Sequence, residues 1–209
     1  AEEMRFKKAE LDVRTRYIAD LEKSLTTYFK DYRNEQKSII ESLLKGHDTV
    51  VRLRTGGGKS LCFQAPAIIS QGVTIVISPL QALCNDQVDN FNKKYCTEAV
   101  TEFNKKYAEA HPECAGFLSD KMPKAEFDLS VSKLVKNNND DNTECKLLYL
   151  SPEMLNKPVY RQELIEAVAS GKLKISMIIF DEAHCLSEWG FNFRESYFQI
   201  CSTIARLKK

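Results

Sequence analysis

The chain has 209 residues, 43% hydrophobic and 28% charged, with a formal net charge of +1. That length allows one large or two small domains and buries roughly 70% of the extended chain's surface on folding. A near-neutral balance excludes a globally basic nucleic-acid binder, and no stretch approaches the ~20 apolar residues of a membrane span.

In chain order, residues 4–25 are polar and helix-favouring, with Met4, Leu11, Ile18 and Leu25 spaced by seven. Arg14 interrupts that stripe and argues against a long coiled coil. A peripheral helical extension over residues 1–23 is therefore expected, ahead of one α/β lobe over 24–209. The opening residues Ala1–Arg5 are charged and unlike a secretory signal. The seven cysteines are scattered without a C-x-x-C pair, so reduced intracellular thiols are expected and a zinc site is not.

Thr49–Leu53 reads as a buried strand leading into Arg54-Thr55-Gly56-Gly57-Gly58-Lys59-Ser60. Glycines without Cβ atoms let successive backbone N–H groups close around an anion. Lys59 then offers a point charge for β/γ-phosphates, and the Ser60 hydroxyl can ligand Mg²⁺. The helix starting there adds a favourable dipole. Leu53 stands where the strict G-x-x-x-x-G-K-[ST] pattern has its first glycine, so a plain glycine-rich turn remains an alternative on the loop alone.

Strands are expected at 73–78, 146–151 and 175–180, separated by helices at 36–45, 59–70, 80–95 and 161–170. That alternation implies a doubly wound, mostly parallel sheet. A charged insertion is expected over about 92–114, where Phe91-Asn92-Lys93-Lys94-Tyr95 recurs as Phe103-Asn104-Lys105-Lys106-Tyr107. A polar run near 137–144 reads as a mobile surface loop.

Ile175–Phe180 reads as a central strand buried on both faces, ending in Asp181 and Glu182. Ligands of open α/β sheets bind at the carboxyl ends of the strands. Asp181 suits Mg²⁺, which prefers a carboxylate plus waters and phosphates, and Glu182 can orient an attacking water. An acidic pair capping the next helix is the plain alternative. Together, loop and acidic pair point to a nucleoside triphosphate. Beyond them, residues 185–198 hold Trp189, Phe191, Phe193, Tyr197 and Phe198. Exposed rings there can stack unpaired bases, each stacking contributing roughly 1–3 kcal/mol, while Tyr197 and Phe198 are expected in the core. Arg194 can hold a phosphate.

These residues resemble RecQ-type superfamily-2 DNA helicases over roughly 24–207. Thr55–Pro66 looks like their Walker A loop and helix, and Thr74–Leu80 through Asp86-Gln87-Val88 like motif Ia. Leu148–Glu153 is similar to the strand and turn ahead of motif II. Asp181-Glu182-Ala183-His184 runs into an aromatic-rich loop like theirs at 185–194. Phe29 followed by Tyr32-Arg33-Asn34-Glu35-Gln36 looks like the adenine-recognising motif 0. The resemblance implies a RecA-like first motor lobe using ATP and Mg²⁺, from a parent that unwinds DNA 3′–5′ in repair and recombination. It implies adenine contacts from Phe29, Arg33 and Gln36, and phosphate contacts from Thr55, Gly56, Gly57, Gly58, Lys59 and Ser60. Asp181, Glu182 and His184 take the catalytic roles, with Ser60 and Asp181 on the metal. Single-stranded or forked DNA is assigned to Pro79, Leu80, Gln87, Trp189, Phe191, Phe193 and Arg194, and a nuclear location follows for such a parent.

The chain departs from the family pattern at Arg54, where a proline is usual, and at Asn34-Glu35 in place of Pro-Gly. Asn192 replaces an aspartate, and Glu195-Ser196 replace Pro-Glu. No Q-x-x-G-R-x-G-R segment of a second lobe occurs in these residues. That segment carries an arginine finger, a part worth roughly 10³–10⁵ in kcat in related enzymes, so weak nucleotide and DNA binding with little hydrolysis is expected. A nucleotide-binding interaction module and an RNA-directed helicase lobe are the alternatives.

Overall fold

The computed structural model describes residues 33–54, 56–70, 72–95, 115–136, 145–184 and 202–203. The chain divides into two compact units, Ala1–Ser70 and Gln71–Lys209.

In the first unit, helix α1 (Asn34–Leu44) packs on helix α2 (Lys59–Ile69), burying Ile40, Cys62, Phe63 and Ala67. The strand expected over 49–53 does not form, and Val50 is 100% exposed. β-Branched residues favour a pleated surface only where a neighbouring strand completes the ladder. Here the described hydrogen bonds of the segment are local: the Thr49 hydroxyl donates to the His47 carbonyl and pairs with the Ser42 hydroxyl.

The second unit is built on four parallel strands: β1 (Val73–Ile77), β2 (Ala115–Leu118), β3 (Leu147–Leu150) and β4 (Ile175–Phe180). Their spatial order is β2-β3-β1-β4. Parallel neighbours require crossovers, which helices α3 (Gln81–Tyr95), α4 (Lys124–Lys136), α5 (Pro152–Asn156) and α6 (Pro158–Ala169) supply. The inner strands β1 and β3 are buried throughout. β4 was expected to be central and doubly covered, yet it is half-buried along its length. Among the described residues it pairs with β1 alone and stands at the edge of the sheet, which explains the difference.

The core combines Ile75, Ile77, Leu148 and Leu150 with Phe127, Val131, Leu164 and Leu173. Phe127 of α4 meets Tyr160 of α6 at 4.5 Å between ring centroids. Lys124 lies 5.1 Å from the Phe127 ring and pairs with both Asp128 and Glu163. Asn92 of α3 grips Ala115 at both backbone groups, accepting from its N–H at 2.8 Å and donating to its carbonyl at 3.0 Å. No helix among the described residues is long and apolar enough to cross a membrane.

Candidate nucleotide site

The glycine loop lies in the first unit. Gly57 N–H closes a turn on the Arg54 carbonyl at 2.9 Å, and Gly58 caps α2 from the left-handed region at φ 76°. α2 then begins with Lys59 and Ser60, both half-buried, so its leading N–H groups and both side chains stand at one helix end. Two of the three loop glycines have a close neighbour, a backbone oxygen at Gly57 and the movable end of a side chain at Gly58. A Cβ on Gly57 would come within 2.7 Å of the Arg54 carbonyl oxygen, and one on Gly58 within 2.3 Å of Gln36 Nε2. Gly56 has φ 73° and open space beyond it. Such a cradle of close-approaching backbone fits a polyphosphate.

Gln36 sits in the first turn of α1, 5% exposed. Its Oε1 accepts from Arg33 N–H at 2.7 Å, the reciprocal half of a capping box. Its Nε2 donates to the Gly58 carbonyl at 3.2 Å and reaches the Gly57 carbonyl at 3.4 Å. The side chain assigned to the base therefore touches the segment assigned to the phosphates. Phe29 and Thr55 lie outside the described residues.

The acidic edge belongs to the second unit. Asp181 follows β4 directly, is 9% exposed, and its N–H extends the ladder to the Ile77 carbonyl at 3.0 Å. Its Oδ1 accepts from Glu182 N–H at 3.0 Å. Glu182 holds φ 52°, the one described non-glycine residue in the left-handed region. Its Oε2 lies 3.1 Å from Nδ1 of the more exposed His184. Cys84, in the first turn of α3, lies beside the Ser78 hydroxyl and within electrostatic reach of Asp181. Burial chiefly pushes its thiol up, with Asp181 adding to the rise and Ser78 opposing it. Among the described residues, no three His, Cys, Asp or Glu side chains group as a metal centre. The Ser60 hydroxyl in the first unit and the Asp181 carboxylate in the second are each oxygen donors of the kind that suits a hydrated Mg²⁺.

Of the residues assigned to DNA, Pro79 is buried, Leu80 is 43% exposed and Gln87 is half-buried. Gln87 Oε1 accepts from the fully buried Tyr149 hydroxyl at 2.8 Å, which leaves its NH₂ group for an outside ligand. Trp189, Phe191, Phe193 and Arg194 lie outside the described residues. Sequence reasoning passed over Asp120, which takes Gln81 Nε2 at 3.3 Å and Lys157 Nζ at 3.8 Å on its carboxylate. Its backbone carbonyl accepts a further bond from Lys157 at 2.6 Å. No motif marks that residue; only the topology joins the three loops.

Residues 33–209 match the DEAD/DEAH box helicase family. The probable ATP-dependent DNA helicase RecS of Bacillus subtilis is 35% identical over 172 residues, covering 82% of this chain and 29% of that protein. The ATP-dependent DNA helicase RecQ of Synechocystis is 34% identical over 82% of the chain and 30% of its own length. The rat ATP-dependent DNA helicase Q5 is 36% identical over 82% of the chain and 15% of its own length. The chain thus spans less than a third of these curated relatives. In fold it is similar to Mycobacterium smegmatis helicase Lhr, solved with ssDNA and AMP-PNP, at a TM-score of 0.61 and 21% identity. That likeness covers 90% of this chain and 22% of the other. With the match running from the start of α1 to Lys209 and the relatives in agreement, the chain belongs to the DEAD/DEAH box helicase family.

Proposed function

We propose that this chain is the nucleotide-binding motor lobe of a RecQ-like DNA helicase, binding ATP with Mg²⁺ and contacting DNA along the carboxyl edge of its sheet. The observation that carries the reading is the glycine cradle at the start of α2, with Gln36 in hydrogen-bond contact with it. Gly57, Gly58, Lys59 and Ser60 hold the phosphates, with Ser60 also serving the metal. Arg33 and Gln36 face the base, joined by Phe29. Asp181 serves Mg²⁺, and Glu182 orients a water for attack on a phosphate while His184 lies against the Glu182 carboxylate. Mg²⁺ supplies charge neutralisation at the phosphates when bound. Leu80, the free NH₂ of Gln87, Pro79, and the segment with Trp189, Phe191, Phe193 and Arg194 form the DNA contacts.

Calorimetric titration of Mg²⁺-ATP into the chain tests the nucleotide assignment. Binding that Lys59→Ala weakens at least tenfold is expected; absence of any binding by the unaltered chain would sink the assignment. Single-stranded DNA and RNA of equal length, followed by Trp189 fluorescence, test the second half. DNA is expected to bind more tightly, with a salt slope of about 0.7 per phosphate contact. Tighter RNA binding would instead support an RNA-directed lobe.

A further inference from the structure

Three loops that leave neighbouring strands meet at Asp120. It stands two residues beyond the end of β2, Gln81 opens α3 after β1, and Lys157 joins α5 to α6 after β3. Since β2, β3 and β1 lie side by side, these residues share the carboxyl edge of the sheet. The two donors divide the carboxylate between them: Gln81 Nε2 reaches Oδ1 at 3.3 Å, and Lys157 Nζ lies 3.8 Å from Oδ2. Lys157 Nζ also donates to the Asp120 carbonyl at 2.6 Å. An ammonium and an amide from separate elements thus converge on one anion, and Gln81 directly follows the exposed Leu80. The pairing stays open to water, with the Lys157 side chain 49% and the Asp120 side chain 23% exposed. Ion pairs this exposed hold weakly, so a second anion can displace the carboxylate.

We propose that Gln81 and Lys157 form a phosphate subsite for a single DNA strand, and that Asp120 occupies it in the free chain as a built-in competitor. A phosphate diester offers two acceptor oxygens and one negative charge, as a carboxylate does, and a lysine binds either as a point charge. The 2.6 Å bond to the Asp120 carbonyl is independent of that residue's side chain, so it keeps the ammonium at the subsite while its anion changes. Strand binding is then an exchange of one anion for another, and Asp120 lowers the net grip of this edge. The inference rests on the reading above that DNA runs along the carboxyl edge.

Asp120→Asn is the discriminating variant, because the amide keeps the side chain's size and one acceptor while removing its charge. Binding of a labelled oligothymidylate to the full chain is followed by fluorescence anisotropy over a range of salt concentrations. The substitution should tighten binding at least about threefold at low salt and steepen the salt dependence by about 0.7, the increment of one added phosphate contact on a single strand. In a Lys157→Ala background the same substitution should change affinity by less than about twofold, because the two residues act through one another. Mg²⁺-ATP affinity should not move in any of these variants. Asp120→Ser carries the same expectations should Asp120→Asn fail to fold. Weaker or unchanged strand binding by Asp120→Asn overturns the proposal and makes Asp120 a structural tie. An equal gain with and without Lys157 also overturns it, since the loss of one negative charge would then account for the effect. Failure of the unaltered chain to bind the oligothymidylate removes the DNA reading itself, and the proposal with it.

Discussion

The three loop glycines have three different surroundings, so alanine at each position should cost a different amount. At Gly58 the backbone stays at φ 76°, a region that costs an L-residue about 1–2 kcal/mol. The new Cβ also lies 2.3 Å from Gln36 Nε2, so the amide must swing away and forfeit its bonds to the loop. One such bond contributes about 0.5–1.5 kcal/mol. At Gly56 the backbone strain is similar, at φ 73°, but nothing lies within 4 Å of the added carbon. At Gly57 the carbon meets the Arg54 carbonyl oxygen at 2.7 Å, the acceptor of the turn, so the backbone itself must shift. Overpacking of this kind costs about 1–3 kcal/mol. Each alanine regains about 0.4–1 kcal/mol by restricting the unfolded chain. Gly56→Ala should therefore cost at most about 1.5 kcal/mol, and Gly58→Ala about 1 kcal/mol more than that. Urea midpoints at constant m-value give the ranking. A double-mutant cycle of Gly58→Ala with Gln36→Met isolates this contact, with a coupling of about 1 kcal/mol expected because the second change removes what the first displaces. Additive effects, or equal losses at Gly56 and Gly58, refute the reasoning.

Three further outcomes can be checked by the same methods. Glu182→Gly should leave stability unchanged or raise it by up to about 1 kcal/mol, read from the urea midpoint at constant m-value, since φ 52° is strained for glutamate; a clear loss would show otherwise. Burial lowers the pKa of Lys146 from its ordinary 10.5, so the folded state favours the neutral amine. The unfolded chain binds more protons between the lowered value and 10.5, and stability rises with pH through that window. Lys146→Met should accordingly stabilise the chain at neutral pH, by a margin that narrows as pH approaches 10.5; a constant margin contradicts this. Deleting residues 92–103 joins Phe91 to Asn104-Lys105-Lys106-Tyr107 and restores the sequence of the first repeat. The grip on Ala115 then passes to the asparagine from 104, so the melting midpoint and ATP affinity should hardly change. Asn92→Ala in the intact chain instead leaves two backbone groups without that partner, at about 1–3 kcal/mol.

The fold was legible where pattern alone determines structure. The apolar runs at 73–77, 147–150 and 175–180 became parallel strands, and the alternating helices fell close to their expected limits. The likeness to RecQ-type helicases, read from short motifs, agrees with the relatives of known name. β2 was missed because Ala115-Gly116-Phe117-Leu118 is short and carries a glycine, weak in strand preference. α4 was passed over although Phe127, Val131 and Leu134 recur at helical spacing, because no motif lies in that segment. The segment at 49–53 misled for the opposite reason: its local preference is strong, but a ladder is a property of two strands. In the site, the glycine pattern marked the tight loop that opens α2. The contact of Gln36 with that loop was invisible, because it joins residues 21 and 22 positions apart through a side chain whose partners only the packing of α1 on α2 supplies.

The carboxyl edge of the sheet shows how the backbone helps to place an acidic residue. The first residue after each of three strands donates its N–H to the last carbonyl of the strand beside it: Ser151 to Leu118, Ser78 to Leu150, and Asp181 to Ile77. All three residues are buried and polar, so the ladders end in one staggered row. Asp181 is thus placed by the backbone of β1, and β1 continues through Ser78 and Pro79 into the exposed Leu80 and α3. α3 is tied in turn to β3 by Gln87 and Tyr149, and to the loop after β2 by Gln81 and Asp120. A ligand that shifts Leu80 therefore acts on the strand whose last carbonyl holds Asp181. Tyr149→Phe removes the hydroxyl and leaves the ring in place. It should loosen α3 while sparing the sheet, and exchange should quicken at α3 amides before those of β1. Uniform exchange across both elements would mean that α3 and the acidic edge move as one body, with no joint between Leu80 and the carboxylate.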